Sequence, residues 1–124
     1  MSVSADYLTY VTDQLSGFAR VTIRRMFGGA GLYADDVFFA LIDDDILYFK
    51  VDDTTRAEYL VRGSAPFRPY ADDPTYSMSY FAVPPEVLED AEDVQRWARA
   101  AVEVARAAAL KKKRKRSKAA KRAE

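Results

Sequence analysis

Apolar residues recur along this chain with two different periods, and each change of period marks an element. Leu8, Val11 and Leu15 fall three and four apart, which puts them on one face of a helix that Ser4 can cap and Gly17 can end. From Val21 the period becomes two. Residues 21–27 read as a first strand, with Val21, Ile23 and Arg25 on one side and Thr22, Arg24 and Met26 on the other. After a glycine stretch come Leu32 and Tyr33, an Asp35-Asp36 turn, an apolar run from Val37 to Ile42, and Asp43-Asp44-Asp45. The alternating segment Ile46 to Val51 then completes an antiparallel meander.

Asp52 or Asp53 can cap a second helix running through Ala57, Leu60 and Val61, with Gly63 placed as its C′ residue. Pro66 and Pro69 make 64–70 an edge strand or extended segment, because proline has no N–H to give a central ladder. Residues 75–83 read as the last strand, closed by Pro84-Pro85. The longest periodic signal follows: Val87, Leu88, Ala91, Val94, Trp97, Ala98, Ala101, Val102, Ala105 and Ala109, with Asp90 as a cap. Trp97 is expected in the core. Ala101, Ala105 and Ala109 are small enough to admit a second helix, which makes that face a homodimer candidate. The whole predicts an α+β domain of two layers, an antiparallel sheet of about five strands with helices mainly on one face, in the order α-β-β-β-α-β-β-α.

The stretch Arg24-Arg25-Met26-Phe27-Gly28-Gly29-Ala30-Gly31-Leu32-Tyr33 holds three of the five glycines. Glycine permits positive φ or a close backbone approach, so a tight turn or bulge between two strands is expected. A phosphate cradle is the alternative, but the spacing fits neither GxGxxG nor GxxxxGK[ST] and no helix pattern follows. Arg24 and Arg25 fall on opposite faces of a regular strand, which weakens a twin-arginine anion clamp. The Asp pairs and triplets at 35/36, 43–45, 52/53 and 72/73 sit where turns or caps are expected and lack the calcium-loop pattern.

Composition narrows the chemistry. With no Cys and no His, the common zinc sets, the Ser-His-Asp triad, thiolate chemistry and disulfides are all excluded. No catalytic residue, cofactor or metal ligand is expected. The first residues show no secretory leader and no run of 18 apolar residues occurs, so the reading is soluble and cytoplasmic.

The net charge of zero conceals a division. Residues 111–124 carry nine Lys/Arg and one Glu, a net of +8, leaving −8 on residues 1–110. The chain therefore divides into a domain, 1–110, and a basic segment, 111–124, expected to be disordered. Lys111, Lys112, Lys113, Arg114, Lys115, Arg116, Lys118, Lys121 and Arg122 are candidate phosphate contacts. A solubility tail and attraction to anionic lipid are the other readings. Without interleaved aromatics, binding is expected to ignore sequence.

The motif RRMFGGAGLY, followed in order by FFALI, LYFKVD, PFRPY, MSYFAVP and a helix with the single Trp97, resembles the N-terminal domain of the TfoX/Sxy competence-regulator family. The resemblance rests on Arg24, Arg25, Met26, Phe27, Gly28, Gly29, Gly31, Tyr33 and Trp97 and covers about residues 5–109. It implies a secretion-chaperone-like α+β fold and a non-enzymatic role in bacterial transcription regulation of DNA-uptake genes. Full-length family regulators continue into a second, helical domain; here a basic segment follows, so a stand-alone N-terminal domain is expected. The leading expectation is a regulatory adaptor whose acidic domain meets a protein partner while the tail holds nucleic acid. The rival is a small ligand-binding domain or enzyme using Arg24 or Arg25 with Tyr33, Tyr48 or Tyr80.

Overall fold

A computed structural model of the chain describes residues 3–18, 20–26, 29–67 and 79–123. Helix α1 (Ala5–Gln14) starts at Ser4, whose hydroxyl accepts from the Tyr7 amide at 3.1 Å. Val11 and Leu15 on its inner face are fully buried. Strands β1 (Val21–Met26), β2 (Gly29–Ala34), β3 (Val37–Asp43) and β4 (Ile46–Lys50) form an antiparallel meander, and β5 (Tyr80–Ala82) adds to β4.

Of the three turns of this meander, the two that are described, β2–β3 and β3–β4, are made by aspartates. Asp35 and Asp36 have φ of 50° and 65°, Asp44 and Asp45 of 54° and 55°. Two consecutive positive-φ residues give the turn whose twist matches that of paired strands, and short polar side chains tolerate this region best after glycine. The aspartate clusters at these two places are therefore turn chemistry, as the pattern predicted.

A register shift between Leu32 and Tyr33 places one extra residue, Phe39, in β3. The bulge lets Phe39 and Ala40 both reach the core, while Phe38 stays on the opposite face beside Tyr33. Simple alternation does not reveal this. The core fills one face of the sheet: Ala30, Leu32, Ala34, Phe39, Ile42, Leu47, Phe49 and Phe81 meet Val11, Leu15, Val87, Val94, Trp97 and Ala98 from the helices. Each large aliphatic or aromatic side chain buried there contributes roughly 1.5–3 kcal/mol.

Helix α2 (Asp53–Val61) begins in a capping box, with the Asp52 carboxylate accepting from the Thr54 and Thr55 amides and Thr55 Oγ1 accepting from the Asp52 amide. It ends in paired bonds from Ser64 N to Tyr59 O and from Gly63 N to Leu60 O, with Gly63 at φ 76°. Its inward residue is Tyr59, whereas Leu60 and Val61 are exposed. The sheet edge it covers accepts one broad ring, so the apolar pair points to solvent.

The expected α+β class with a five-stranded antiparallel sheet is observed, and the element order matches the expected one approximately. Four strands precede α2 and one follows, because the glycines extend Leu32-Tyr33 into a full strand. Beyond β5, the 64–67 segment makes only a single bridge at Pro66, flanked by Phe67 N to Tyr80 O and Ala82 N to Ala65 O. Proline lacks the donor that a longer ladder needs. The last helix also divides, into α3 (Pro85–Leu88) and α4 (Ala91–Ala123), with Asp90 Oδ1 accepting from Asp93 N at the start of α4. Gln14 braces this corner, donating to Leu88 O and accepting from Gln95 Nε2. The Asp72-Asp73 pair, Pro69, Tyr70 and 75–78 of the expected last strand lie outside the described residues.

Candidate nucleic-acid interface

Helix α4 spans 33 residues, about 50 Å at 1.5 Å per residue. Its first half is a core element: Val94, Trp97, Ala98, Ala101, Val102 and Ala105 are buried. Ala101 and Ala105, two of the three alanines read as a surface for a second helix, pack within the chain itself. Burial ends there. Ala109 and Leu110 are exposed, as are Lys111, Lys112, Lys113 and Arg114.

The backbone of the basic segment continues α4 as a helix to Ala123. Three physical effects favour a helix here. The docked half of α4 already meets the cost of nucleation, so each further residue has only to propagate. Apart from Ser117, residues 106–123 are all Ala, Leu, Lys or Arg, the strong helix formers. Cations at a helix C-terminus also face the negative end of the macrodipole. The side chains of Lys115, Arg116, Lys118, Lys121 and Arg122 lie outside the described set, so these five enter through their place on the helix.

The sheet face away from the core carries a second group of cations and rings. Arg24 lies 5.4 Å from the Tyr33 ring, Tyr33 packs on Phe38, Phe38 on Tyr80, and Lys50 sits 5.1 Å from the Tyr80 ring. Burial pulls the Lys50 ammonium below its usual range, and the nearby charge of Lys112 lowers it further. Lys50 thus lies among rings on the outer face of the sheet, close enough to Lys112 for the two charges to oppose each other. Sequence reasoning did not single it out; alternation placed it beside Tyr48, but only the β4–β5 register brings it to Tyr80.

The same face bears on the rival reading. Arg25 pairs across from Ala30 on the core side of β1, whereas Arg24 pairs with Gly31 on the outer side. The two arginines do not converge. Burial raises the Tyr80 hydroxyl to about 12, and burial together with Asp43 and Asp44 raises that of Tyr48. Both phenols stay protonated at neutral pH, so neither supplies a base there.

At the glycine corner, β1 and β2 pair up to Met26 and Gly29. Phe27, Gly28 and the Met26 side chain lie outside the described residues. Gly29 is required by proximity: a Cβ there would overlap the Ile42 carbonyl oxygen of β3. Its φ is not in the positive range, so close approach and not turn conformation accounts for this glycine. Gly31 is a buried strand residue opposite Arg24 and Leu41. Trp97 meets Tyr59 edge-on at 4.7 Å, with the Arg62 guanidinium 5.2 Å from its ring, and its Nε1–H is buried with no acceptor among the described residues.

The comparisons with known proteins concern the folded part of the chain. No curated protein matches it. The family profile described as the TfoX N-terminal domain matches residues 13–105, from the last two residues of α1 to Ala105 in α4. That interval takes in all five strands, the glycine corner and Trp97, and it stops where burial stops. By that match over most of its length, the chain belongs to the TfoX N-terminal domain family.

Proposed function

We propose that this protein is a non-enzymatic regulatory adaptor, related to the competence regulators of its family, that attaches to nucleic acid through the basic end of α4 without reading sequence. The observation that supports it is the separation of charge along one helix. Up to Ala105 the helix is core to a domain of net charge −8; residues 111–124 carry +8 on a segment that buries nothing among the side chains described. Such a segment gains little from its own domain and much from phosphates, whose condensed counterions it releases. The acidic domain remains for a protein partner.

Binding to a labelled duplex across a salt series tests the reading. If six to nine of the nine cations meet phosphates, log K against log salt falls with a slope of about −5 to −8, alike for unrelated sequences. A chain ending at residue 110 is repelled by the duplex. Equal binding by the two chains, or none by the longer chain at about 50 mM salt, removes the nucleic-acid role.

A further inference from the structure

We propose that the end of α4 is a preformed helix that takes duplex B-form DNA in its major groove, in preference to duplex RNA or a single strand. The inference rests on the nucleic-acid reading above and adds the form of the ligand. Four observations carry it.

The helix runs unbroken from Ala91 into the basic segment, so residues 111–123 leave the domain as a rod of about 20 Å. Nine of the twelve positions from 111 to 122 are Lys or Arg. At 3.6 residues per turn these positions occupy every side of the cylinder, which suits a helix lying between two phosphate walls better than one resting on a flat anionic surface. A B-form major groove about 12 Å wide admits an α-helix, whereas the A-form groove of duplex RNA is too deep and narrow.

Second, the segment lacks what the competing ligands require. Binding of single strands usually draws on aromatic side chains for base stacking, and 111–123 contains none. A helix lying in a lipid interface needs an apolar stripe, and here the apolar residues are only three alanines.

Third, about 9 Å of helix separates Ala105, the last buried residue among the described side chains, from Lys111, and Lys111 to Arg114 are exposed, so the basic segment begins beyond the described core. Fourth, the continuity with a docked helix means that the ordering cost is already met before DNA arrives. A tail that folds only on binding bears that cost at the moment of contact.

The test uses the full chain and a variant carrying Ala109→Pro and Ser117→Pro. Both positions follow the last core residue, and all nine cations are kept. Each proline removes an i→i−4 bond and clashes with the preceding turn. The short pieces that remain are marginal helices that repel themselves. Anisotropy is read at one salt concentration on a mixed-sequence DNA duplex, the same sequence as an RNA duplex, and a DNA single strand. Far-UV circular dichroism of the parent is read with and without the DNA duplex.

The expected result is tightest parental binding to duplex DNA and at least a tenfold loss of that binding in the double-proline variant. Single-strand binding is expected to be alike in the two proteins, and parental helix content to stay unchanged when DNA is added. The proposal is overturned if the variant binds duplex DNA as the parent does, if RNA or single strands bind as tightly, or if the parent gains helix on adding DNA. Failure of the underlying reading looks different: the chain ending at 110 would then bind as well as the full chain, and both ideas would go.

Discussion

The carboxylate Oδ1 of Asp45 accepts a hydrogen bond from the Ser4 amide at 2.7 Å, joining the cap of α1 to the tip of the β3–β4 hairpin 41 residues later. Asp45 therefore does two things at once: it holds a positive φ of 55° in the turn and fixes where the first helix begins. Close by, Tyr7 Oη accepts from the Leu47 amide at 3.1 Å, so the contact is reinforced one turn along the helix.

A series at Asp45 separates these roles. Asn keeps an acceptor and favours positive φ, so Asp45→Asn is expected to melt within about 0.5 kcal/mol of the parent. Gly keeps the turn but loses the bond, for a cost of about 0.5–1.5 kcal/mol. Val loses both and adds a strained β-branched residue, costing about 1–3 kcal/mol more. Urea melts in which Val matches Gly would show that the turn is not under conformational constraint.

Gly29→Ala places a methyl against the Ile42 carbonyl, a backbone atom that cannot swing aside. The adjoining strands must separate, with an expected loss of about 1–3 kcal/mol by denaturant melt. Gly63→Ala meets no neighbour but retains a positive φ, so its cost of about 1 kcal/mol comes from conformation alone.

Trp97→Ala empties the space between Tyr59 and the sheet and is expected to cost about 3–5 kcal/mol, close to the whole stability of a small domain. The native emission is expected to be blue-shifted relative to free Trp in water. Emission at the free-Trp position in the intact protein contradicts the burial without any variant.

The capping box of α2 gives a pH dependence with a fixed sign. Hydrogen bonds from the Thr55 amide, the Thr55 hydroxyl and the Thr54 amide hold the Asp52 carboxyl below the ordinary Asp range, outweighing the opposing effect of desolvation. A depressed folded-state pKa adds stability above the unfolded value, near 3.9, and loses it as pH falls through the folded value. Asp52→Ala is expected to lower stability by about 1 kcal/mol at pH 7. The gap between parent and variant should narrow as pH drops below about 4. A gap unchanged at low pH would mean that the carboxylate charge has no part in the cap.

Removal of residues 111–124 is expected to leave the melting temperature within about 2 °C, since among the described side chains none from 111 on is buried. Far-UV ellipticity should fall by the share of about a dozen helical residues. A large drop in melting temperature would place part of this segment in the fold.

Local rules were enough for much of this protein. Ser4, Asp52 and Gly63 mark helix ends because caps satisfy backbone groups of their own neighbours, and the aspartate pairs mark turns because positive φ is a property of two residues. The period of the apolar positions alone placed Trp97, Val94 and Ala98 in the core. Family membership was likewise legible in the ordered set of motifs from Arg24 to Trp97. Tertiary structure decided what depends on partners distant in the chain. The Phe39 bulge, the inward turn of Tyr59 in place of Leu60 and Val61, the closeness of Gly29 to Ile42 and the arrival of Lys50 at Tyr80 each follow from cross-strand register or packing shape, which no local pattern encodes. The helix of the basic segment is an intermediate case: its residues favour a helix, their mutual repulsion opposes one, and continuity with a core-docked α4 supplies the nucleus from which it propagates.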